Sequence, residues 1–319
     1  MKKQNNTHRF ILCIFLCLCI ISTYAQNHLP NVFSDHTLDK TGSSLRKQAK
    51  IASSSVKIGT NVTEYLATRN QLKSVILSNA KMQTASNIPL DPAITGTIDM
   101  GTFRIENIRF QTRPGVYATA NLYIPHGEGP FPAVVNMHGH WPNGRRTEIT
   151  QTTAQLLALN GFVCLNIDAW GAGERGTHEQ EHEYHGSNLG ASLLDVGETL
   201  MGMQLTDNQR GIDLLCSLPY VDKENIGATG ASGGGNQTMW LSAIDDRIKA
   251  AVPVVSVGSF EAYIMNSNCI CELLPNGLTF AEEDGVLGLI APRALKILTA
   301  MNDGCQSFIF LSANVRNIS

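Results

Sequence analysis

No apolar run in this 319-residue sequence reaches the roughly twenty residues that a membrane-spanning helix needs. The longest, Phe10 to Ile21, stops at twelve. Dense basic stretches are also missing, and 24 Lys and Arg against 27 Asp and Glu leave a net charge of −3. Such a chain has no electrostatic footprint for tracking phosphates, so nucleic acid is not an expected partner. There is no repeat and no low-complexity segment. Charged residues make up only 16% and hydrophobic ones 43%, the balance of a chain that buries a core. Cysteine is sparse: eight in all, three of them inside the N-terminal apolar run. The rest, Cys164, Cys216, Cys269, Cys271 and Cys305, are odd in number, which excludes a complete set of intramolecular disulfides. Cys164 and Cys216 lie in apolar segments and read as small core residues. One further absence matters later: none of the nine histidines follows Ser232.

What is present begins with an address. Lys2, Lys3 and Arg9 precede the apolar run, and Thr23-Tyr24-Ala25 supplies small residues at a cleavage site. This pattern predicts a secretory signal over residues 1–25, a mature chain from near Gln26, no membrane anchor after cleavage, and a secreted or periplasmic location. Residues 26–94 read as an irregular and helical extension. Within it Val62, Tyr65, Leu66, Leu72, Val75 and Ile76 share one helical face between Asn61 and Ala80. "GTFRIENIRFQTRPGVYATANLYIP" then alternates apolar positions around Pro114-Gly115, predicting an antiparallel hairpin.

From there the pattern changes. "FPAVVNMHGH", "FVCLNIDAWG", "NIGATGAS", "IKAAVPVVSV" and "RALKILTAMND" are short apolar runs, separated by helical stretches that include one from about Val196 to Ser217. Buried strands alternating with helices predict an α/β fold, a mainly parallel sheet with helices on both faces. Ligands on such sheets bind beyond the carboxyl ends of the strands. At those ends stand His138-Gly139-His140, Asp168 to Arg175, Ser232, Glu261 and Asp303.

Ser232 lies in Gly230-Ala231-Ser232-Gly233-Gly234, which fits G-x-S-x-G. A serine on a sharp strand-to-helix turn adopts a strained backbone, and side chains two residues to either side would collide. Glycine there permits the turn, the exposed hydroxyl becomes a candidate nucleophile, and the Gly233 amide becomes the first candidate oxyanion donor. A second donor is expected from "HGHWPNGR", where Gly139 lets the backbone approach a substrate. Trp141 reads as an apolar or sugar-stacking wall, or equally as an ordinary buried tryptophan. Arg175 is a candidate substrate-binding residue. Glu261 and Glu272 are fallback acids whose bland reading is loop carboxylates. "HEQEH", His178 to His182, matches a zinc-protease motif, but its flanks are polar and glycine-rich. A loop is the better reading; no metal and no cofactor are expected.

The ordered series "HGHWPNGR", "DAWGAGERG", "GATGASGGG" and "APRALKILTAMND" resembles the α/β-hydrolase superfamily. More narrowly it resembles the secreted acetylxylan esterases and their dienelactone-hydrolase-like relatives, over roughly residues 95 to 305. The resemblance implies a serine esterase that removes acyl groups from carbohydrates or similar small esters. It assigns Ser232 as nucleophile, Asp303 as acid, and Gly233 with the Gly139–His140 segment as oxyanion hole. Glucuronoyl esterases are similar but carry an arginine after the serine, where this chain has Gly233.

In that superfamily the histidine follows the acid after a helix and a strand. Only "GCQSFIFLSANVRNIS" follows Asp303 here. Residues 95–319 are therefore expected to be an α/β-hydrolase domain lacking its last helix–strand unit, with activity impaired. The alternatives are a pseudo-enzyme that binds saccharide esters without turnover, a prolyl-oligopeptidase-type peptidase, and a zinc hydrolase using His178 and His182.

Overall fold

The computed structural model of the protein describes residues 39–55, 61–82, 88–176, 183, 187–266 and 269–300. The chain divides into Met1–Ser43 and Ser44–Ser319, and the architecture below belongs to the second unit. Its centre is one eight-stranded sheet in the order β1-β2-β3-β5-β4-β6-β7-β8. The strands are β1 (Ala93–Asp99), β2 (Phe103–Arg113), β3 (Val116–Pro125), β4 (Phe131–Met137), β5 (Val163–Ile167), β6 (Val221–Ala231), β7 (Ile248–Val254) and β8 (Ala294–Leu295). β1 to β3 are antiparallel, and β3 joins β5 antiparallel; β5, β4, β6, β7 and β8 run parallel. This is the expected mainly parallel α/β sheet, with the expected hairpin at Pro114-Gly115, where Gly115 has φ 72°. β1 is an addition. Most of its residues face solvent, so no buried face marked it in the sequence.

Helices cover both faces because the strands are apolar on both. Phe103, Ile105, Tyr123 and Cys164 pack against Ala154 and Ala158 of the helix Glu148–Leu159. Two buried asparagines tie the same helix to the sheet: Asn136 and Asn166 donate to the Thr150 carbonyl, and Asn136 also donates to Asn166. On the opposite face Phe110, Leu122, Val135 and Leu165 meet Met201, Leu205 and Ile212 of the helix Leu200–Ser217 and Trp240 of the helix Gly233–Ile244. Each side chain the size of Leu buried there contributes roughly 1.5–3 kcal/mol. The helix Leu200–Ser217 starts where Thr199 accepts from the Gly202 amide at 2.9 Å. Among the described residues no helix is long and apolar enough to cross a membrane.

The chain moves from β4 outward to β5, then returns to the other side of β4 for β6 and continues to β7. The connections therefore reverse direction between β4 and β6, the position at which doubly wound sheets open a ligand crevice. Beyond β7, the short helices Phe260–Tyr263 and Glu283–Gly288 close one side. Arg293 fastens this region, donating to the carbonyls of Ser242, Asp245, Ile248, Leu289 and Ile290.

Glu283 is fully buried at the start of its helix and accepts from the Gly258 amide at 2.5 Å. Burial, opposed by that bond and by Tyr263 and reinforced by neighbouring Glu282 and Asp284, pushes its carboxyl from 4.5 up to about 8. The folded chain then keeps a proton that the unfolded chain has already released. Stability from this group is complete below the unfolded value and is lost as pH rises through about 8. Thermal melts between about pH 5 and about pH 9 should show Tm falling with rising pH, and Glu283→Gln should flatten that slope. An unchanged slope in the variant would refute the assignment.

Candidate active site

Ser232 stands at the end of β6 with φ 57° and ψ −125°, immediately before the helix that begins at Gly233. That conformation is one an L-residue with a side chain rarely adopts, and the fold enforces it from three sides. Its amide donates to the Val254 carbonyl at 2.9 Å, and its carbonyl accepts from the Asn236 amide at 3.0 Å. On the flanks, a Cβ at Gly230 or Gly234 would run into the Met137 carbonyl at the end of β4. The two glycines let β4 and the helix start approach backbone to backbone. Val255 on the next strand end is also held at positive φ, 45°, with its amide bound to Leu298. As a first-turn residue Gly233 has no intrahelical acceptor for its amide.

Gly139 comes to the same place from β4. A Cβ on it would lie 2.7 Å from the Ala231 carbonyl, one residue before Ser232, and 2.9 Å from the Trp141 ring. The Gly139 carbonyl is fixed by two donors, the Trp141 amide at 2.8 Å and His138 Nδ1 at 2.7 Å. Since the peptide is planar and trans, the His140 N–H must point the opposite way.

His138 is locked. It is buried, and its Nε2 accepts the Ala169 amide at 3.0 Å while Nδ1 serves Gly139. Accepting at Nε2 requires the neutral ring with its proton on Nδ1. Burial keeps it so by pulling its pKa below the usual histidine value, against the pull of Asp168.

Asp168 organises the loops after β4 and β5. It is fully buried and accepts from Thr119, from the Arg145 amide and guanidinium, and from the Glu174 amide. Next to it lies a second buried network. Asp207 accepts from Arg113 at 2.9 Å, from Trp170 Nε1 at 2.6 Å and from Arg175. The guanidinium groups of Arg113 and Arg175 sit over the Trp170 ring, at 5.3 and 5.0 Å. Arg175, a candidate for substrate binding by sequence, has a side chain only 8% exposed, held by Asp207 and the Asp168 carbonyl. Nothing near the motifs announced Asp207 or Arg113, which come from distant elements.

The other predicted residues separate. Trp141 is partly exposed beside Gly139. Glu261 accepts from Ser53 at 3.2 Å. Glu272 is buried, with its carboxylate 3.8 Å from His140 Nδ1, and burial pushes its pKa up to about 8. His140 Nε2 lies 2.9 Å from Cys271 Sγ, a contact the sequence reading did not foresee. Asp303 and the "HEQEH" histidines His178 and His182, like His185, lie outside the described residues.

Comparisons with known proteins identify the family and the fold. The family profile for acetyl xylan esterase (AXE1) matches residues 79–264, more than half the chain. The acetyl esterase Axe7A of Xylanibacter ruminicola is 28% identical over 169 residues, 51% of this chain and 37% of that protein. YtaP of Bacillus subtilis is 29% identical over 191 residues, 55% of this chain and 62% of the relative. The chain thus spans less than two thirds of either curated relative. Two solved structures share the fold. One from Bacteroides fragilis, provisionally described as an acetyl xylan esterase, has TM-score 0.69 and 17% identity, covering 84% of this chain and 77% of its own. Acetyl Xylan Esterase 1 from Thermoanaerobacterium sp. has TM-score 0.51 and 16% identity, covering 80% and 81%.

The steric argument at the turn is directly measurable. Gly234→Ala and Gly230→Ala should each cost about 2 kcal/mol or more in urea unfolding, because the Met137 backbone cannot yield as a side chain would. Gly277→Ala, where a methyl meets nothing, should stay within about 0.5–1 kcal/mol of wild type. Equal effects at all three positions would remove the packing argument.

Proposed function

The chain belongs to the acetyl xylan esterase family, and from that membership we propose that it is an exported serine esterase acting on acylated carbohydrates or similar small esters. The observation that carries this reading is Ser232, held at φ 57° between β6 and a glycine-started helix at the β4–β6 crevice. In the proposed reaction Ser232 Oγ adds to the ester carbonyl and its proton passes to a base. The amides of Gly233 and His140 stabilise the resulting oxyanion. The C–O bond to the sugar then breaks, the alcohol leaves with a proton, and water hydrolyses the acyl-serine to release the acid. Trp141 walls the crevice, Arg175 braces Trp170 behind it, and Asp303 is the proposed acid. Export is supported by Lys2, Lys3, Arg9 and the apolar run after them.

The weak point of this chemistry is the base. A serine hydroxyl at neutral pH needs a neighbour to take its proton. His138 is committed to the Ala169 amide and the Gly139 carbonyl and does not supply that base. We expect hydrolysis of 4-nitrophenyl acetate to depend on Ser232, so Ser232→Ala should abolish it together with fluorophosphonate labelling. Turnover undiminished in Ser232→Ala would sink the nucleophile assignment.

A further inference from the structure

Two loops that meet at the rim bring together three soft donors. His140 follows β4; Cys269 and Cys271 follow the helix Phe260–Tyr263 beyond β7. One ligand atom from each, the imidazole nitrogen and the two sulfurs, lies within 4.8 Å of the others. The turn Cys269–Glu272, closed by the Glu272 amide on the Cys269 carbonyl at 3.0 Å, sets the two thiols side by side. Trp240 Nε1 anchors it by donating to the Glu272 carbonyl at 3.2 Å.

A second observation points to the same ligand. His140 turns Nε2 toward the sulfurs and Nδ1 toward the Glu272 carboxylate, 3.8 Å away. A histidine that ligates a metal characteristically offers its other ring nitrogen to a carboxylate, which fixes the tautomer and the ring orientation. Around the thiols is an apolar shell of Ala169, Ala172, Leu193, Leu200 and Met203. Such a shell controls how solvent reaches the site.

We propose that His140, Cys269 and Cys271 bind a zinc ion. Two thiolates and one imidazole are the donor set that zinc takes, with bonds of about 2.3 Å to sulfur and 2.0 Å to nitrogen, and donors in such a tetrahedron stand about 3.5 Å apart. Small movements of side chains already within 4.8 Å reach that spacing. The fourth position is left to water. Both thiols release their protons to solvent on binding. The ion staples the loop bearing Gly139 and His140 to the loop bearing Cys271, and so fixes one wall of the crevice. Zinc uptake does not depend on Ser232 being a nucleophile.

The full chain, reduced, loaded with zinc and desalted, should retain close to one zinc per chain beyond the amount held by a Cys269→Ser/Cys271→Ser double variant that keeps the other cysteines. Cobalt in its place should give thiolate-to-metal absorption in the near ultraviolet and the visible bands of a tetrahedral site. Cys216→Ser should leave both unchanged. Glu272→Gln, which keeps every ligand, should weaken zinc about 10–100-fold in competition with a chromophoric chelator, and it remains informative where the cysteine variants do not fold. Equal zinc in wild type and double variant overturns the proposal. So does a cobalt spectrum without the thiolate band, or a Cys269–Cys271 disulfide whose reduction yields no zinc uptake.

Discussion

Backbone meets backbone where β4, β6 and the helix Gly233–Ile244 converge, and the Ser232 turn depends on that contact. Gly230 and Gly234 lie so close to the Met137 carbonyl that neither has room for a methyl group, and Gly139 lies as tightly on the Ala231 carbonyl. These contacts set how near the loop after β4 comes to Ser232. They also leave Ser232 no choice of conformation, because its amide and carbonyl are both bound while its neighbours are pinned. Strain of order 1–3 kcal/mol at such a residue persists only when its surroundings over-determine it. Here a parallel sheet on one side and a buried helix on the other do so.

The loops at the rim rest on buried charge. Asp168 with Arg145, and Asp207 with Arg113 and Arg175, are carboxylates removed from water and surrounded by donors. Pairs of this kind add little to stability against an apolar core of equal volume, yet removing one partner costs about 3–5 kcal/mol by leaving the other uncompensated. Their consequence here is geometric. Asp168 holds Thr119 on β3, Arg145 after β4 and Glu174 after β5 in one fixed relation, so three strands share one rim.

Much of this was legible in the sequence, for local reasons. Buried parallel strands appear as continuous apolar runs, and the G-x-S-x-G turn carries its steric rule within five residues. β1 escaped notice because it turns most of its side chains to solvent around Gly96. The helix expected from about Val196 starts instead at Leu200, where Thr199 caps it through the Gly202 amide, and a separate helix, Ser187–Asp195, precedes it. The site beyond the turn depends on partners far apart in the chain. His140 meets Cys271 across 131 positions, and Arg175 meets Asp207 across 32. No spacing rule connects such residues, and "NCICE" read alone offers only two thiols of undetermined partner.

The role of His138 shows why position near a serine is not the same as function as a base. An oxyanion site works by being organised before the charge arrives, so its peptides must already face the right way. The Gly139–His140 peptide, the proposed second donor, is held in one orientation by a carbonyl gripped by His138 and by the Trp141 amide. His138 can grip it only while its other nitrogen stays unprotonated and accepts the Ala169 amide, the state that burial favours. A general base must do the reverse, gaining and losing a proton within one turnover. One imidazole cannot hold a loop by staying neutral and also cycle through the charged form. The same contacts that orient the loop beside Ser232 therefore withdraw this histidine from proton transfer.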